Sequence, residues 1–279
     1  MSDVANVEMA AAWDGAQGDQ WVEREDQMNA ALATHSTRLL AAAAVGASDH
    51  VLDIGCGTGA TTRACAERAV DGHVLGVDLS TAMLARARTR AADAGLTNIE
   101  FARADAQVYP FEPAAYDLVV SQFGVMFFDD PVAAFTNVGR AVKPGGRLAA
   151  IVWQAMSRNE WVAVPRAALT LGRVVDPVAD DVPGAFGLAD PDRTRGILAA
   201  SGFAEIHLDD VLVPYRFGAD ADAATDHARQ IALVRGPLDG LDADDTARAL
   251  DALHEAMAAR ESSEGVVLDS RIWVITAVR

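Results

Sequence analysis

Cysteine is scarce in this sequence, which has only Cys56 and Cys65 among 279 residues. Two cysteines cannot form a disulfide framework or a four-cysteine zinc site. The six histidines show neither the H-x-x-x-H nor the H-E-x-x-H spacing of common metal sites. We therefore expect no structural metal and no cysteine nucleophile.

Basic residues are also few: 23 Lys and Arg stand against 40 Asp and Glu, which gives a net charge of −17. An acidic protein repels phosphate backbones and anionic lipid surfaces. No apolar run approaches 18 residues, and the first 19 residues lack the basic and apolar regions of a signal peptide. These absences predict a cytoplasmic protein with no nucleic-acid partner and no membrane span.

Apolar runs of strand length do alternate with helical patterns. Strands are predicted at residues 51–54, 74–79, 99–104, 116–122 and 147–153, with helices at 60–69, 80–94 and 131–142 between them. Strands separated by helices of 10–15 residues indicate a parallel sheet with right-handed crossovers. The sequence thus predicts an α/β fold.

The flanking regions are predicted to be mainly helical. Residues 19–45 have the spacing of one or two helices, which Gly46 would end as a C-terminal cap. After residue 153 we predict helices at 158–173, 191–200, 219–235 and 242–260, a loop at 174–190, and strands at 205–217 and 266–278.

The first strand runs into a glycine-rich turn, Asp53-Ile54-Gly55-Cys56-Gly57-Thr58-Gly59, and the second strand ends at Asp78. Glycines let the backbone approach a ligand closely, and an acid at the end of the next strand can bind ribose hydroxyls. The spacing alone does not exclude a dinucleotide cofactor. The dinucleotide-binding motif G-x-G-x-x-G accepts alanine in place of its third glycine, and Ala60 stands at that position. However, Asp53 would repel a diphosphate and attract an ammonium or sulfonium. These charges favour S-adenosylmethionine.

Together with Asp105-Ala106 and the run Val142-Lys143-Pro144-Gly145-Gly146-Arg147-Leu148, these motifs resemble those of class I S-adenosylmethionine-dependent methyltransferases. The resemblance is tight over residues 45–155 and is nearest to the small-molecule branch that includes ubiquinone and menaquinone methyltransferases. It implies a Rossmann-like, seven-stranded, mostly parallel sheet with helices on both faces, an antiparallel strand at the edge and a helical lid. It also implies one domain over residues 1–279, with a helical cap (1–45), a cofactor-binding core (46–155), lid helices (156–204 and 219–262) and terminal strands (205–217 and 266–278).

Ligands bind such sheets at the carboxyl ends of the strands, where strand order reverses. The resemblance and this rule together predict the cofactor-binding residues: Asp53, Gly55, Cys56, Gly57, Asp78, Leu79, Met83, Asp105, Ala106, Ser121 and Trp21. Asp78 would accept both ribose hydroxyls, Leu79 and Met83 would contact adenine, and Asp105 would accept its exocyclic amine. Gly55 and Gly57 would leave room for the methionine part. Alternatively, Asp78 helps to cap a helix and Asp105 is a solvated loop acid.

Residues for the acceptor and for catalysis are less clearly marked. Trp21 could cover the sulfonium or simply pack in a helix, and Phe123, Phe127 and Trp153 could line an apolar substrate wall or the core. Candidate general bases are His35, His254 and Asp129, although the histidines could pack or lie on the surface and Asp129 could cap a helix. Methyl transfer needs mainly positioning and desolvation, so a base is not required.

The residues after the fourth strand, Ser121-Gln122-Phe123-Gly124, differ from the Asn-Pro-Pro-aromatic motif of amino-methylating DNA and glutamine enzymes. No Pro-Cys pair of cytosine carbon-5 methyltransferases and no carboxylate cluster of a metal-dependent catechol site is present. We therefore expect a small, largely apolar acceptor of aromatic, indolic, polyketide or quinone-like type. The alternatives are an NAD(P)-dependent oxidoreductase, although no Tyr-x-x-x-Lys pair is present, and a non-catalytic regulatory protein that binds the cofactor.

Overall fold

A computed structural model of the chain describes residues 4–175 and 182–279. The helices are α1 (Val7–Trp13), α2 (Ala16–Glu23), α3 (Glu25–Ala31), α4 (Ala33–Ala43), α5 (Ala60–Ala66), α6 (Thr81–Asp93), α7 (Pro131–Ala141), α8 (Glu160–Thr170), α9 (Pro191–Ala200), α10 (Ala221–Gln230), α11 (Ala232–Arg235) and α12 (Ala243–Ala258). The strands are β1 (His50–Ile54), β2 (His73–Asp78), β3 (Ile99–Arg103), β4 (Tyr116–Gln122), β5 (Val142–Trp153), β6 (Ala204–Gly218), β7 (Glu261–Ser262) and β8 (Gly265–Val278).

The strands form one sheet in the order β3-β2-β1-β4-β5-β8-β6. The first five of these strands are parallel, whereas β8 runs antiparallel to both of its neighbours. The mostly parallel sheet with an antiparallel edge pair is confirmed. Because the chain moves outward in opposite directions from β1 and β4, a crevice opens between their carboxyl ends.

The predicted count of seven strands is wrong, because the described residues form eight. The additional strand is the two-residue β7, which pairs with the start of β8. Gly265 has a φ of +87°, a conformation that glycine adopts readily, and this allows the tight reversal between the two strands.

The core strands are apolar on both faces, as expected for parallel strands covered by helices. Leu52 on β1, Leu118 and Val119 on β4, and Ile151 on β5 are fully buried. This rigid centre holds the carboxyl ends of the strands in fixed positions.

The N-terminal region consists of four short helices, α1 to α4, rather than the predicted one or two, and it begins before residue 19. Helix α4 ends at Ala44, which takes a left-handed conformation and donates its backbone N–H to Leu40. Gly46 is not the cap, because its N–H binds the Asp49 carboxylate in the next turn at 2.9 Å.

Two further predictions differ from the structure. Strand β5 begins at Val142 instead of residue 147, because Val142 pairs with Tyr116 before the register shifts. The predicted helix at 219–235 divides at Ile231, where the backbone is extended. Residues 176–181 of the predicted loop lie outside the described residues. Within the described ranges, no helix is long and apolar enough to cross a membrane.

Candidate active site

A cavity of about 550 Å³ lies at the carboxyl ends of the central strands. Ten of the eleven predicted cofactor-binding residues contribute to its wall, and so do the three predicted substrate residues. Ser121 is the exception. Its buried hydroxyl donates to the Ile54 carbonyl at 2.8 Å and accepts from the N–H groups of Gly124 and Val125. Ser121 therefore holds the loop after β4 in place and does not face the cavity.

Asp53 is fully buried in the wall of the cavity. Its Oδ2 accepts a hydrogen bond from the Thr62 hydroxyl at 2.7 Å, whereas Oδ1 is buried and has no hydrogen-bond partner among the described residues. Burial raises the pKa of Asp53 to about 7, an effect that the Thr62 hydrogen bond opposes and the nearby Asp78 charge reinforces. An unpartnered buried acceptor is energetically unfavourable, so this atom fits a cationic donor entering the cavity.

Asp78 ends β2 and positions the glycine-rich turn. Its Oδ2 accepts from the Gly57 N–H at 2.8 Å, and its Oδ1 accepts from the Ser80 N–H at 2.9 Å. Burial raises the pKa of Asp78, and these backbone hydrogen bonds partly offset that increase. Ser80, not Asp78, is the N-cap of α6, since its side chain accepts from Met83. Each carboxylate oxygen of Asp78 still has acceptor capacity for a ligand hydroxyl.

Gly55 and Gly57 differ in what their missing side chains allow. A Cβ at Gly55 would lie 2.7 Å from the Gly124 Cα, so Gly55 is needed for the close contact of two loops. Gly55 also belongs to the cavity wall, and its role beside the cofactor stays a prediction. A Cβ at Gly57 would meet only the flexible end of Met83, at 3.0 Å, so Gly57 does border open space.

Asp105 is buried and accepts three backbone hydrogen bonds, so it is not a solvated loop acid. Its Oδ2 binds the N–H groups of Ala5 and Asn6, each at 2.9 Å, and its Oδ1 binds the N–H of Gln107. The Asn6 amide also donates to the carbonyl of Phe127 at 2.7 Å. The N-terminal segment is thus attached to the loop that follows β3.

Further ion pairs hold the N-terminal helices over this side of the cavity. Asp14 accepts from the Thr81 N–H at 2.7 Å and pairs with Arg103 at 2.8 Å. The buried Glu25 pairs with Arg86 and Arg90 of α6 at 2.6 and 3.0 Å. These contacts attach helices α1 to α3 to α6 and to the end of β3, beside the cavity.

Aromatic rings line the cavity in two groups. Near the N-terminal helices, Trp13 contacts Trp21 edge to face at 6.2 Å and Phe127 at 5.3 Å. Beyond the end of β4, Phe123 stacks on Trp153 with a centroid distance of 4.0 Å. The cavity wall thus offers flat apolar surfaces at both places.

The three candidate bases lie outside the cavity wall. His35 is fully buried, and its Nε2 lies 2.8 Å from the Ser270 hydroxyl, which itself donates to a backbone carbonyl. His254 contacts Asp222 at 3.0 Å on the protein surface. Asp129 is exposed, and the neighbouring Asp130 caps α7. The structure therefore favours packing, surface and loop roles for these three residues.

Several wall residues were not predicted from the sequence, notably Arg24, Trp161 and Tyr215. The alternation of buried residues at Val213, Tyr215 and Phe217 along β6 is the one sequence signal that could have indicated Tyr215. Arg24 lies between α2 and α3, whereas Trp161 lies on α8. No local sequence pattern marks either residue.

Comparisons with known proteins agree with this geometry. A methyltransferase domain family matches residues 51–146. The demethylmenaquinone methyltransferase of Thermus thermophilus is 31% identical over 169 residues, which covers 57% of this chain and 76% of the relative. The aklanonic acid methyltransferase DauC of Streptomyces sp. strain C5 is 37% identical over 102 residues, covering 36% and 46% of the two chains.

The YcgJ protein of Bacillus subtilis has the same fold, with a TM-score of 0.56 and 18% identity over 88% of this chain and 98% of that one. The matched region spans 41% of the length of three mycobacterial relatives. The family match and the Thermus relative together show that the chain belongs to the S-adenosylmethionine-dependent methyltransferase family.

Proposed function

We propose that this chain transfers the methyl group of S-adenosylmethionine to a small, largely apolar acceptor of aromatic, indolic, polyketide or quinone-like type. The observation that carries the proposal is the division of one cavity into a carboxylate-lined end and an aromatic end. When bound, S-adenosylmethionine supplies an electrophilic methyl group on a positively charged sulfur.

The carboxylate end matches the polar groups of this cofactor. Oδ1 of Asp53 would accept from the cofactor ammonium, since Asp53 belongs to the cavity wall and this buried oxygen has no partner among the described residues. Asp78 would accept the ribose hydroxyls while it continues to hold the Gly57 N–H. Asp105 keeps acceptor capacity on Oδ1 for the adenine amine. A diphosphate would meet three acidic side chains at this end, which disfavours a dinucleotide.

The aromatic end would hold and orient the acceptor. Phe123 and Trp153 offer a stacked apolar wall, and Trp21 and Trp13 cover the side toward the N-terminal helices. Two relatives are named for demethylmenaquinone and aklanonic acid, which supports a small-molecule acceptor here. The net charge of −17 supports the absence of a nucleic-acid partner.

The chain's own contribution to the reaction is positioning and exclusion of water. The walls would bring the acceptor atom into line with the methyl group, which converts a bimolecular reaction into one between fixed neighbours. The attached N-terminal helices would exclude water, which strengthens the electrostatic interactions inside the cavity. None of the three candidate bases faces the cavity, in keeping with a reaction that requires little acid–base chemistry.

Calorimetric titration separates this proposal from an oxidoreductase. We expect S-adenosylhomocysteine to bind and NADH not to bind. Asp78→Asn should weaken the binding at least tenfold, while the matched variant Asp129→Asn, at an exposed position outside the cavity, should leave it unchanged. Binding of NADH without S-adenosylhomocysteine would contradict the proposal.

Methyl transfer itself is tested by incubating the protein with tritiated S-adenosylmethionine and cell extract. Extract from cells that lack this protein should gain label in an organic-soluble molecule that is one methylene heavier than its precursor. If S-adenosylhomocysteine binds but no metabolite is ever labelled, a non-catalytic regulatory role is favoured.

A further inference from the structure

A polar group lies within the aromatic end of the cavity. Tyr215 on β6 belongs to the cavity wall and is almost fully buried. Its ring lies 6.4 Å from that of Trp153 and 5.9 Å from that of Trp161. Since Trp153 stacks on Phe123 and Gly124 lies against Gly55, a continuous set of contacts leads from the cofactor turn to Tyr215.

The hydroxyl of Tyr215 is the buried end of a hydrogen-bond chain that runs toward the surface. Its Oη lies 3.2 Å from Nε2 of His227, and Nδ1 of His227 lies 3.2 Å from Nη2 of Arg24 and 3.4 Å from Nε2 of Gln27. The same Arg24 Nη2 donates to Oε1 of Gln27 at 3.0 Å.

The proton positions in this chain follow from Arg24, which can only donate. Because Arg24 donates to Gln27 Oε1, the amide nitrogen of Gln27 must face His227. Nδ1 of His227 then meets two donors, so it must be the acceptor and the ring proton must be on Nε2. His227 is neutral at physiological pH, since burial and then the charge of Arg24 lower its pKa to about 4.

The Nε2–H of His227 therefore donates to Tyr215 Oη, which leaves the hydroxyl hydrogen of Tyr215 to be donated elsewhere. Residues 4–175 and 182–279 provide no acceptor for this hydrogen. Burial raises the pKa of Tyr215, although the charge of Arg24 opposes this, so the hydroxyl is a donor and not a base. A buried donor without a partner is as unfavourable as a buried acceptor without one.

We propose that Tyr215 donates a hydrogen bond to an oxygen of the methyl acceptor, and that Arg24, Gln27 and His227 fix its direction. The acceptor is then an aromatic or conjugated molecule with a carbonyl or phenolate oxygen, held against the aromatic wall that Phe123, Trp153 and Trp161 form. The inference rests on the proposed function, because it takes this end of the cavity to be the acceptor site. It makes Tyr215 a residue that determines specificity, since a molecule without the oxygen would leave the hydroxyl unpaired.

The test uses two probes that differ only in the oxygen, 2-acetylnaphthalene and 2-ethylnaphthalene, with the full chain saturated with S-adenosylhomocysteine. We expect the wild type to bind the ketone at least fivefold more tightly than the hydrocarbon. Tyr215→Phe should abolish this preference by weakening only the ketone, and the matched variant Tyr109→Phe, outside the cavity wall, should retain it. Equal ketone affinity in Tyr215→Phe and wild type, or no ketone binding by the wild type, would overturn the inference.

Two further measurements keep the result interpretable. Binding of S-adenosylhomocysteine by Tyr215→Phe shows that the variant is folded and that the cofactor end is intact, so loss of ketone binding alone concerns Tyr215. Absence of S-adenosylhomocysteine binding by the wild type would instead count against the proposed function. If Tyr215→Phe does not fold, the carbonyl infrared band of 2-acetylnaphthalene on the wild type decides. A shift to lower frequency than in hexane supports the hydrogen bond, and an unshifted band overturns it.

Discussion

The Thr62 hydroxyl donates to Oδ2 of Asp53 at 2.7 Å, while residues 4–175 and 182–279 provide no partner for Oδ1 of the same buried carboxylate. The carboxylate is thus fixed in orientation on one side and unsatisfied on the other. In a fold that places this residue at the end of β1, the unsatisfied atom marks the position where a positively charged group of the ligand is expected.

The first prediction concerns the pH dependence of cofactor binding. The pKa of Asp53 is about 7, so the ionised form that an ammonium prefers becomes populated as the pH rises toward 7. The affinity for S-adenosylhomocysteine should therefore increase about tenfold between pH 5.5 and pH 7, where the ligand ammonium remains protonated. Calorimetry with Asp53→Asn is the control: its binding should be weaker and independent of pH over this range. An equally steep dependence in the variant would contradict the role of Asp53.

The second prediction separates the two interpretations of Trp21. If its ring faces the sulfonium, replacement by Leu should weaken S-adenosylmethionine binding about fivefold but hardly change the binding of S-adenosylhomocysteine, which has no charge on sulfur. Trp21→Phe should lie between the wild type and Trp21→Leu. Equal losses for both ligands in a competition titration would instead indicate that Trp21 only packs in the helix.

The third prediction concerns the contact between Gly55 and Gly124. A Cβ at Gly124 would lie 2.5 Å from the Ile54 carbonyl oxygen and 2.8 Å from the Gly55 Cα, and both neighbours are backbone atoms. Gly124→Ala should therefore lower the free energy of unfolding by about 1–3 kcal/mol and weaken cofactor binding. The control is Gly196→Ala in α9, where a Cβ meets no atom within 4 Å, and it should stabilise the protein by about 0.5–1 kcal/mol. Urea unfolding measures both, and a neutral Gly124→Ala would contradict the model of the loop contact.

The fourth prediction concerns stability at low pH. Burial lowers the pKa of His35 to about 4, whereas an unfolded histidine titrates near 6.5. Between these values the unfolded chain binds the additional proton, so the free energy of unfolding should fall as the pH falls from 6.5 toward 4. Through His35 alone, the free energy of unfolding should be about 2 kcal/mol lower at pH 5 than at pH 7.

Urea unfolding at pH 5 and pH 7 measures the free energy of unfolding of the wild type and of His35→Gln. The glutamine can still donate to Ser270 but does not titrate. The variant should lose less stability between the two pH values than the wild type. His227 acts in the same direction, and Asp53, whose pKa is raised, acts in the opposite direction. The difference between variant and wild type isolates His35, and identical pH profiles would show that it does not titrate differently in the folded state.

The sequence predicted those parts of the molecule that are encoded by short, contiguous patterns. The apolar runs before Asp53, Asp78 and Asp105 identified the strands, and the position of these acids at strand ends placed them in one crevice. Parallel strands covered on both faces leave few alternatives for such runs, which is why this part of the fold was predictable.

Features that depend on contacts between distant segments were not predictable in this way. The start of β5 at Val142, for example, depends on its pairing with Tyr116. The chain from Arg24 through His227 to Tyr215 joins residues about 200 positions apart. Because none of these residues forms a local motif, only the folded structure brings them together.

The most direct test of the account is a crystal structure of the protein with S-adenosylhomocysteine. We expect the ligand ammonium within hydrogen-bond distance of Asp53 Oδ1, its ribose hydroxyls on Asp78, and its sulfur facing the rings of the aromatic end. A ligand bound elsewhere, or a crevice at the ends of β1 and β2 that remains empty at saturating S-adenosylhomocysteine, would contradict it.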